Sequence, residues 1–586
     1  MVDLKATPFN LDDEGVKWVQ DTIASMTDEE KIGQLFVNMG AERTEEYLGG
    51  VLDNYHIGAV RYNPGTAEEV WEQNHILQTK SKVPMLIAAN TEAGGNGACT
   101  DGTYIGWEAK IACTHDPKYA YELGRISGIE ANAIGCNWSF APIVDIYRNW
   151  RNPIVSRRTW GADVDQTIEM SLAYMKGIQE QGIAPAAKHW PGDGIDERDQ
   201  HLSHAPNWLS TEEWDETFGK LYKALFDAGL PSLMTGHIAL PSYQKHFNPD
   251  MTDEDILPAT ISKEINTNLL REKLGFNGVV VTDASHMVGL TGAGKRSDLL
   301  PMAIEAGCDL WLFFNDPDED FDWMMEGYRN GTLSEKRLQE ALERILGLKA
   351  MLGLHKKKRE EILPPKGEAL ARIGLPEHKA VAEEIADMGV TLVKNKQPDV
   401  FPVTPERYKR ILVVPIGAAP SPFAALTGDT GHPADMYVEK LRERGFEVDR
   451  YESQLEKVRG KSLEETKTIL ANAYAGKSPI SDLTDNYDMV LSIANVNGIG
   501  QAIERPYWPG TKGTLDMPWY VHELPVVLVS TASPNLLPDM PQVKTYIAAY
   551  DEKDFTADAV LDKMAGKSEF KGKPATELFN FPDTHI

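Results

Sequence analysis

The sequence has few cysteines and a deficit of positive charge. Its 586 residues include only 4 cysteines, and 59 lysines and arginines stand against 88 aspartates and glutamates, which gives a formal net charge of −29. Nucleic acids and anionic membranes are bound by surfaces rich in lysine and arginine. We therefore expect neither as a partner, and a neutral or cationic ligand instead.

The four cysteines are widely spaced along the chain, at Cys99, Cys113, Cys136 and Cys308. No two of them form a Cys-x-x-Cys pair of the kind that binds a metal or cycles between dithiol and disulfide. Four cysteines are also too few to cross-link a chain of this length. We therefore expect buried thiols.

Long apolar runs are missing as well. The first residues, MVDLKATPFNLDDEG, lack the basic start and apolar stretch of a secretory signal, and no run of about 18 apolar residues follows. We therefore expect a cytoplasmic protein that does not span a membrane. With 42% hydrophobic and 25% charged residues, the chain has a globular composition and is long enough for two large domains.

Eight short apolar runs precede residue 320, and most are followed by a polar loop and a helical pattern. The runs are QLFVNM, GAVRYN, MLIAAN, NWSFAP, APAAKH, SLMTGH, GVVVTD and DLWLFF. Amphipathic patterns between them include TAEEVWEQNHILQTK and DQTIEMSLAYMKGIQEQG. Eight alternating strand and helix units predict an N-terminal (β/α)8 barrel of the TIM type over residues 1–355.

The chain then becomes basic and rich in proline, as in KKKREEILPPKG, which predicts a linker over residues 356–376. Beyond it, the runs RILVVPIG, YDMVLSIANV, LPVVLVST and TYIAAY alternate with helical segments such as ADMYVEKLRERG. Residues 377–586 are therefore predicted to form a smaller three-layer αβα sandwich. The chain as a whole is assigned to the α/β class.

The stretch AAKHWPGDGIDERDQHL, residues 186–202, concentrates ionisable side chains directly after the fifth predicted strand. Solvated charges in a surface loop would explain such a run equally well on composition alone. Its position decides between the two interpretations, because the loops that leave the carboxyl ends of barrel strands form the catalytic face of this fold. We therefore predict a catalytic loop.

Five segments together resemble glycoside hydrolase family 3, and they occur in the order of that family. They are MTDEEKIGQLF, APIVDIYRNWRNPIVSRRTWG, KHWPGDG, PATISKEINTNLLREKLGFNGVVVTDASHM and HKAVAEEIADMGVTLVKN. The Asp-x-His at Asp199 and His201, shortly after KHWPG, is similar to the β-N-acetylglucosaminidase branch of the family. The resemblance therefore implies a retaining exo-β-N-acetylglucosaminidase.

Three residues are the candidate catalytic groups. Asp283 ends the run GVVVTD, so its side chain is expected at the barrel mouth beneath the anomeric carbon, and the resemblance marks it as the nucleophile. His201 is the candidate acid/base, because a free imidazole titrates near pH 6.5, at about neutral pH. Asp199 is expected to accept the Nδ1 hydrogen of this ring. Double displacement by these groups needs no metal and no organic cofactor.

Residues from three predicted strand ends are candidates for sugar binding. Lys188 and His189 end the fifth strand and Arg158 follows the fourth, and the resemblance implies that such residues bind hydroxyls of the terminal sugar. The third strand ends in ANTEAGG, with Asn90 where the family usually has aspartate and with Glu92 retained. Glu92 is therefore expected to contribute more to sugar recognition than Asn90.

Other positions depart from the family pattern or suggest sugar stacking. Asp193 stands where the family commonly has a second histidine in the KHWPGDG segment. Trp160, Trp190 and Trp208 are predicted to close the core, because aromatic residues at the bases of loops more often do this than stack on sugars.

Three alternatives to the β-N-acetylglucosaminidase remain open. A histidine acid/base, unlike a glutamate, would not repel a phosphate dianion, which is compatible with a glycoside phosphorylase acting on β-GlcNAc or β-glucosides. A β-glucosidase or β-xylosidase would take its acid/base from the second domain, where Glu504 in GQAIERPYW is a candidate. A silent sugar-binding protein would require neither Asp283 nor His201. Under each of these interpretations the expected partner is a small carbohydrate.

Overall fold

The structure is a computed structural model that describes residues 2–40, 42–417, 431–497, 504–507 and 514–585. It divides into two compact units, one formed by 1–108 and 116–381 and the other by 109–115 and 382–586. The domain and linker limits given above stay predictions. No helix among the described residues is both long enough and apolar enough to cross a membrane.

Eight parallel strands of the first unit close into a barrel, which confirms the predicted fold. The strands are β1 (Phe36–Gly40), β2 (Ala59–Tyr62), β3 (Leu86–Ala89), β4 (Trp138–Ser139), β5 (Ala184–Trp190), β6 (Ser232–Thr235), β7 (Val279–Ala284) and β8 (Leu310–Leu312). Each strand pairs with the next in the chain, and β1 closes the ring against β8, where Phe36 lies opposite Trp311. The carboxyl ends of all eight strands therefore meet at one mouth.

The barrel strands are apolar along most of their length because both of their faces are covered. The strand β5 reads APAAKHW and is buried at every residue, and β7 reads VVVTDA and is fully buried through Thr282. In both strands the charged side chains come only towards the carboxyl end. The sequence thereby brings Lys188, His189 and Asp283 to the mouth of the barrel.

Several helices of the first unit begin at capping side chains. Thr66 and Glu69 form a reciprocal capping box at the start of the helix that follows β2, and Ser210 and Glu213 form another. The α-helices are Asp13–Ala24, Asp28–Gly33, Glu45–Tyr55, Ala67–Lys80, Pro117–Ala133, Val164–Gln179, Thr211–Trp214, Lys220–Asp227, Pro241–Phe247, Val288–Thr291, Arg296–Ala306, Pro317–Asn330, Glu335–Met351 and Lys366–Leu370. Asp215–Gly219 and Glu264–Lys273 are π-helical, and the helices Glu108–Ala112 and Pro376–Gly389 include residues of both units.

The second unit is built on one six-stranded sheet. Its strands are β9 (Thr391–Asn395), β10 (Arg410–Gly417), β11 (Glu447–Arg450), β12 (Met489–Asn495), β13 (Val526–Ser530) and β14 (Thr545–Ala548), in the spatial order β9-β14-β13-β12-β10-β11. Only the β9–β14 pair is antiparallel among the described strands. The helices are Ala434–Glu443, Gln454–Val458, Leu463–Ala475, Ser481–Thr484 and Asp554–Met564.

Both faces of this sheet are covered by apolar side chains, as the predicted three-layer sandwich requires. Along β10, Ile411 and Val413 pack into one apolar cluster, and the alternating residues Leu412 and Val414 pack into another on the opposite face. The two strands that the sequence did not reveal, β9 and β11, are the edges of the sheet. Edge strands bury less surface, so their apolar signal is weaker.

Candidate active site

Asp283 is held at the carboxyl end of β7, with its side chain 13% exposed at the mouth. The backbone N–H of Ala284 donates to its Oδ1 at 2.7 Å. Burial opposes ionisation of this carboxyl, but His189, His237 and His201 outweigh burial and lower the pKa of Asp283 below its ordinary value. A half-enclosed carboxylate that stays ionised is suited to attack an electrophilic carbon.

Asp199 and His201 form a hydrogen-bonded pair in the loop that follows β5. Asp199 Oδ1 lies 2.7 Å from His201 Nδ1 and also accepts the backbone N–H of His201 at 2.8 Å. Since a carboxylate only accepts, Nδ1 carries the hydrogen and Nε2 is left for other partners. The His201 side chain is 47% exposed, whereas that of Asp199 is buried.

The protonation of His201 is set by two opposing influences. Burial favours the neutral ring and lowers its pKa, whereas the hydrogen bond to Asp199 and the charge of Asp283 raise it. The net result is a pKa above the ordinary value for histidine. The pair therefore favours a ring that can donate a proton near neutral pH.

The loop that carries this pair is fastened to neighbouring segments through Gln200 and His201. Gln200 Oε1 accepts the backbone N–H of His237 at 2.6 Å, and the carbonyls of Gln200 and His201 accept the N–H groups of Gly289 and Val288 at 3.0 and 2.9 Å. A Cβ at Gly289 would lie 2.6 Å from the Gln200 carbonyl oxygen, so only glycine permits this approach. Because Val288 and Gly289 follow β7, the loop is tied to the segment that carries Asp283.

Three of the predicted sugar-binding residues, Glu92, Lys188 and Arg158, are brought together in one ionic cluster. Glu92 Oε1 accepts Lys188 Nζ at 2.5 Å, and Arg158 donates to both oxygens of Glu92 at 2.9 and 3.2 Å. Burial would raise the pKa of Glu92, but Arg158 and Lys188 hold it well below the ordinary range. Glu92 therefore holds both cations in place, and each cation has N–H donors beyond those that it gives to Glu92.

The two departures from the family pattern have different environments. Asn90 follows β3 and is half-buried. Asp193 is buried, and its Oδ1 accepts Asn152 Nδ2 at 2.8 Å and the N–H of Gly194 at 2.7 Å. Burial and the nearby charge of Asp145 raise the pKa of Asp193 to about 7.

Three buried polar residues of the mouth were not identified from the sequence. Asp145 contacts His189, His237 lies at the end of β6, and Glu108 accepts the backbone N–H of Ile143 at 3.0 Å. Burial lowers the pKa of His237 and raises that of Glu108, so both groups favour their neutral forms. The available signal was positional, because Asp145 follows the predicted strand NWSFAP and His237 ends the predicted strand SLMTGH.

The three tryptophans predicted to close the core differ in burial, and Glu504 lies in the other unit. Trp160 and Trp190 are fully buried, as predicted, but Trp208 is 61% exposed and donates through Nε1 to Asp196 Oδ2 at 2.9 Å. The prediction that Trp208 closes the core is therefore wrong: its loop runs over the surface, and its indole N–H is satisfied there. Glu504 belongs to the second unit and is buried.

The four cysteines have the environment expected from the sequence. All of them are buried, and none forms a disulfide. Within the described parts of the chain, no group of three histidine, cysteine, aspartate or glutamate residues is arranged to hold a metal ion.

Comparison with known proteins identifies a family and several similar chains. Residues 27–348 match the model of the glycosyl hydrolase family 3 N-terminal domain. The β-N-acetylglucosaminidase/β-glucosidase of Cellulomonas fimi is 39% identical over 589 residues, which cover 100% of both chains. The β-hexosaminidase A of Pseudoalteromonas piscicida is 28% identical over 351 residues, 55% of this chain and 56% of its own length.

Two solved structures are also similar to this chain. The β-glucoside phosphorylase BglX bound to 2FGlc is 37% identical, covers 98% of this chain and 99% of its own, and superposes with a TM-score of 0.89. The family 3 β-N-acetylglucosaminidase from Paenibacillus sp. str. FPU-7 shares the fold with a TM-score of 0.76 at 23% identity, over 94% of this chain and 99% of its own. Every residue of the mouth described above lies within the matched range 27–348.

Proposed function

Because the chain belongs to glycoside hydrolase family 3, we propose that it is a retaining exo-β-N-acetylglucosaminidase that removes terminal GlcNAc from β-glycosides. One observation carries this proposal: the Asp199–His201 pair is tied by backbone hydrogen bonds to the segment that follows Asp283. Double displacement needs a nucleophile and a proton donor held in register, and this connection supports the assignment of those roles to Asp283 and His201.

The first step forms a glycosyl-enzyme intermediate. Asp283 attacks C1 of the terminal sugar, and the bond from C1 to the leaving oxygen breaks as the bond from C1 to the carboxylate forms. His201 Nε2 gives its proton to the leaving oxygen, which departs as an alcohol. Asp199 stabilises the ring while it carries the proton and fixes its tautomer.

The second step returns the enzyme to its starting state. A water molecule adds to C1, His201 Nε2 takes one of its protons, and the Asp283 carboxylate leaves with the bonding electron pair. Two displacements at the same carbon retain the β configuration. The Glu92–Lys188–Arg158 cluster supplies donors for hydroxyls of the sugar, and the rigid pairing keeps those donors oriented before substrate binds.

A glycoside phosphorylase is the second candidate, favoured by the similarity to the β-glucoside phosphorylase over almost the whole of both chains. In that reaction inorganic phosphate replaces water in the second step and yields a sugar 1-phosphate. A histidine acid/base is compatible with it, because the ring does not repel an incoming dianion as a carboxylate would.

The test is a panel of aryl β-glycosides of GlcNAc and glucose, assayed with and without inorganic phosphate. A higher kcat/KM for the GlcNAc glycosides, free sugar as product and first-formed β-anomer support the hydrolase. A higher kcat/KM for glucosides overturns the substrate assignment. Acceleration by phosphate with formation of a sugar 1-phosphate assigns the phosphorylase instead.

A β-glucosidase or β-xylosidase that uses Glu504 gives a different result in the same panel. The matched variants His201→Ala and Glu504→Gln separate the two sources of the proton. In the proposed enzyme only His201→Ala slows substrates with poor leaving groups. If Glu504→Gln alone does so, the acid/base is the glutamate, and a protein inactive on every substrate would be a sugar-binding protein.

A further inference from the structure

A second histidine–carboxylate pair lies buried at the mouth, formed by Asp145 and His189. Asp145 Oδ2 lies 2.7 Å from His189 Nδ1, and Asp145 Oδ1 accepts the backbone N–H groups of His189 and Asp193 at 3.1 and 2.8 Å. The side chains of Asp145 and His189 are 1% and 5% exposed. The carboxylate is thus fixed by three donors and orients the ring.

The other nitrogen of this ring faces the nucleophile. His189 Nε2 lies 3.9 Å from Asp283 Oδ2, which is beyond a direct hydrogen bond but close for two opposite charges. Since Asp145 only accepts, Nδ1 bears a hydrogen. A neutral ring would then turn the lone pair of Nε2 towards the Asp283 carboxylate, whereas a ring with a proton on each nitrogen presents a donor to both carboxylates.

We infer that His189, protonated on both nitrogens and oriented by Asp145, is the counter-ion that keeps the Asp283 nucleophile ionised. The inference rests on the proposed function for the role of Asp283. It assigns to His189 an electrostatic task beyond any contact with a sugar hydroxyl, and it makes Asp145 a positioning residue. Consistent with this task, His189 lowers the pKa of Asp283 more than any other neighbour does.

A second buried carboxyl, Asp193, lies beside Asp145. The two carboxyls share a small buried region, since the N–H of Asp193 donates to Asp145. Asp193 Oδ2 is buried and has no hydrogen-bond partner among the described residues, and burial together with Asp145 raises the pKa of Asp193 to about 7. The oxygens of Asp145 together accept three hydrogen bonds, whereas only one oxygen of Asp193 is bonded.

The remaining titratable groups around this pair lie on several elements. Those that influence Asp283 are His237 after β6, His201 in the loop after β5, and His286 after β7; those that influence Asp145 are Arg158 after β4 and the buried Tyr222. His189 differs from these groups because it bonds to Asp145 and also faces Asp283. His189 is therefore the group whose charge should be felt most directly at Asp283.

The first test is Asp145→Asn, assayed with an activated aryl β-glycoside. The amide oxygen of the variant side chain can still accept both backbone N–H groups, but the NH2 group faces Nδ1, which leaves the ring one proton, on Nε2, and no charge. An opposite charge at this distance lowers a carboxyl pKa by about 1 to 3 units, so the acidic limb of kcat/KM should move up by about 1 to 3 pH units. An activated leaving group needs no proton, which keeps His201 out of the measurement.

A second variant covers the case in which Asp145→Asn does not fold. His189→Gln removes the same charge, so the acidic limb should move in the same direction. The control is Asp196→Asn, which removes a carboxylate of the neighbouring loop that is bonded to Arg198 and Trp208, and it should leave the limb where it is. A stationary limb in the first two variants, or an equal shift in the control, overturns the inference.

Labelling separates this outcome from a failure of the proposed function. A fluorinated activated sugar should trap the intermediate in the wild-type enzyme, and mass spectrometry of the labelled peptide identifies the modified residue. If Asp283 is not labelled, the proposed function fails. If Asp283 is labelled and the acidic limb does not move in Asp145→Asn and His189→Gln, only the counter-ion assignment fails, and the pair is structural.

Discussion

The Asp199–His201 and Asp145–His189 pairs have the same 2.7 Å contact to Nδ1, but their surroundings differ. The His201 side chain is 47% exposed, and that of His189 is 5% exposed. A ring open to solvent can exchange its proton during each turnover, whereas an enclosed ring has little access to solvent protons. Exposure, and not the hydrogen bond itself, therefore distinguishes the proposed acid/base, His201, from the proposed counter-ion, His189.

The two pairs also differ in how the chain builds them. Asp199 and His201 are two residues apart, so one turn of a loop brings their side chains together. Asp145 and His189 are 44 residues apart and meet only because β4 and β5 are neighbours in the barrel. The first pair is a local motif, and the second is a product of the fold.

The largest effect is expected from Asp283→Asn, which removes the proposed nucleophile. Loss of a central catalytic group lowers kcat by about 10⁴-fold to 10⁶-fold, because the amide keeps the size of the side chain but neither attacks C1 nor stabilises positive charge. Turnover of aryl glycosides measures it, with circular dichroism to verify folding. Near-normal turnover by a folded Asp283→Asn protein would exclude Asp283 as the nucleophile.

His201→Ala should distinguish the exposed pair from the buried one. Poor leaving groups need a proton, so their turnover should fall by about 10²-fold to 10⁴-fold, the usual contribution of a general acid. Activated aryl substrates should still form the intermediate and give a burst followed by slow turnover, because the second step lacks its base. Equal slowing of both substrate types without a burst would exclude His201 as the acid/base.

Asp199→Asn should give a milder version of the same pattern. The amide still occupies the site beside Nδ1 but no longer favours the protonated ring, so we expect a loss of about tenfold to a hundredfold on poor leaving groups, below the loss in His201→Ala. The pKa of His201, which Asp199 and Asp283 raise against burial, should fall. Nuclear magnetic resonance titration of the ring measures this directly, and an unchanged pKa would contradict the assigned role.

The smallest effect concerns how the stability of the protein depends on Asp193, the buried carboxyl beside Asp145. Asp193 has a folded-state pKa of about 7, above the ordinary carboxyl value, so the folded protein holds a proton that the unfolded chain has lost. The stability of the wild type should therefore decrease as pH rises through the interval up to about 7. Asp193→Asn cannot ionise, and its Tm relative to the wild type should rise by a few degrees between pH 5 and pH 8.

The control for this measurement is Asp196→Asn, since the pKa of Asp196 is lowered by its hydrogen bonds to Arg198 against the opposing effect of burial. Its Tm relative to the wild type should not rise over the same interval. A constant difference between Asp193→Asn and the wild type at both pH values would mean that Asp193 is ionised throughout.

The sequence predicts the fold better than it predicts the contacts within the site. All eight barrel strands were expected from their apolar runs, and the family resemblance is confirmed by the matched domain. The edge strands β9 and β11 were missed: β11 reads EVDR and buries only Val448. Trp208 was wrongly assigned to the core, because aromatic content alone does not reveal on which side of a loop a ring lies.

Within the site, residue identity was easier to predict than pairing. Lys188 and Arg158 were expected at the mouth, but their common partner, Glu92, was expected to bind sugar itself, and the ionic cluster depends on three separate strand ends. Asp145 stood inside a segment used to identify the family, yet its partner His189 lies on another strand. Contacts across neighbouring strands carry no periodic signal in the sequence.

The backbone contact between Gln200 and Gly289 has a consequence for any attempt to transfer the proposed proton donor to another protein. The tripeptide Asp199 to His201 is not a portable unit. Two backbone hydrogen bonds join it to the segment after β7, and Gly289 of that segment approaches Gln200 too closely for a Cβ atom. A graft must carry both segments and must keep the glycine at position 289.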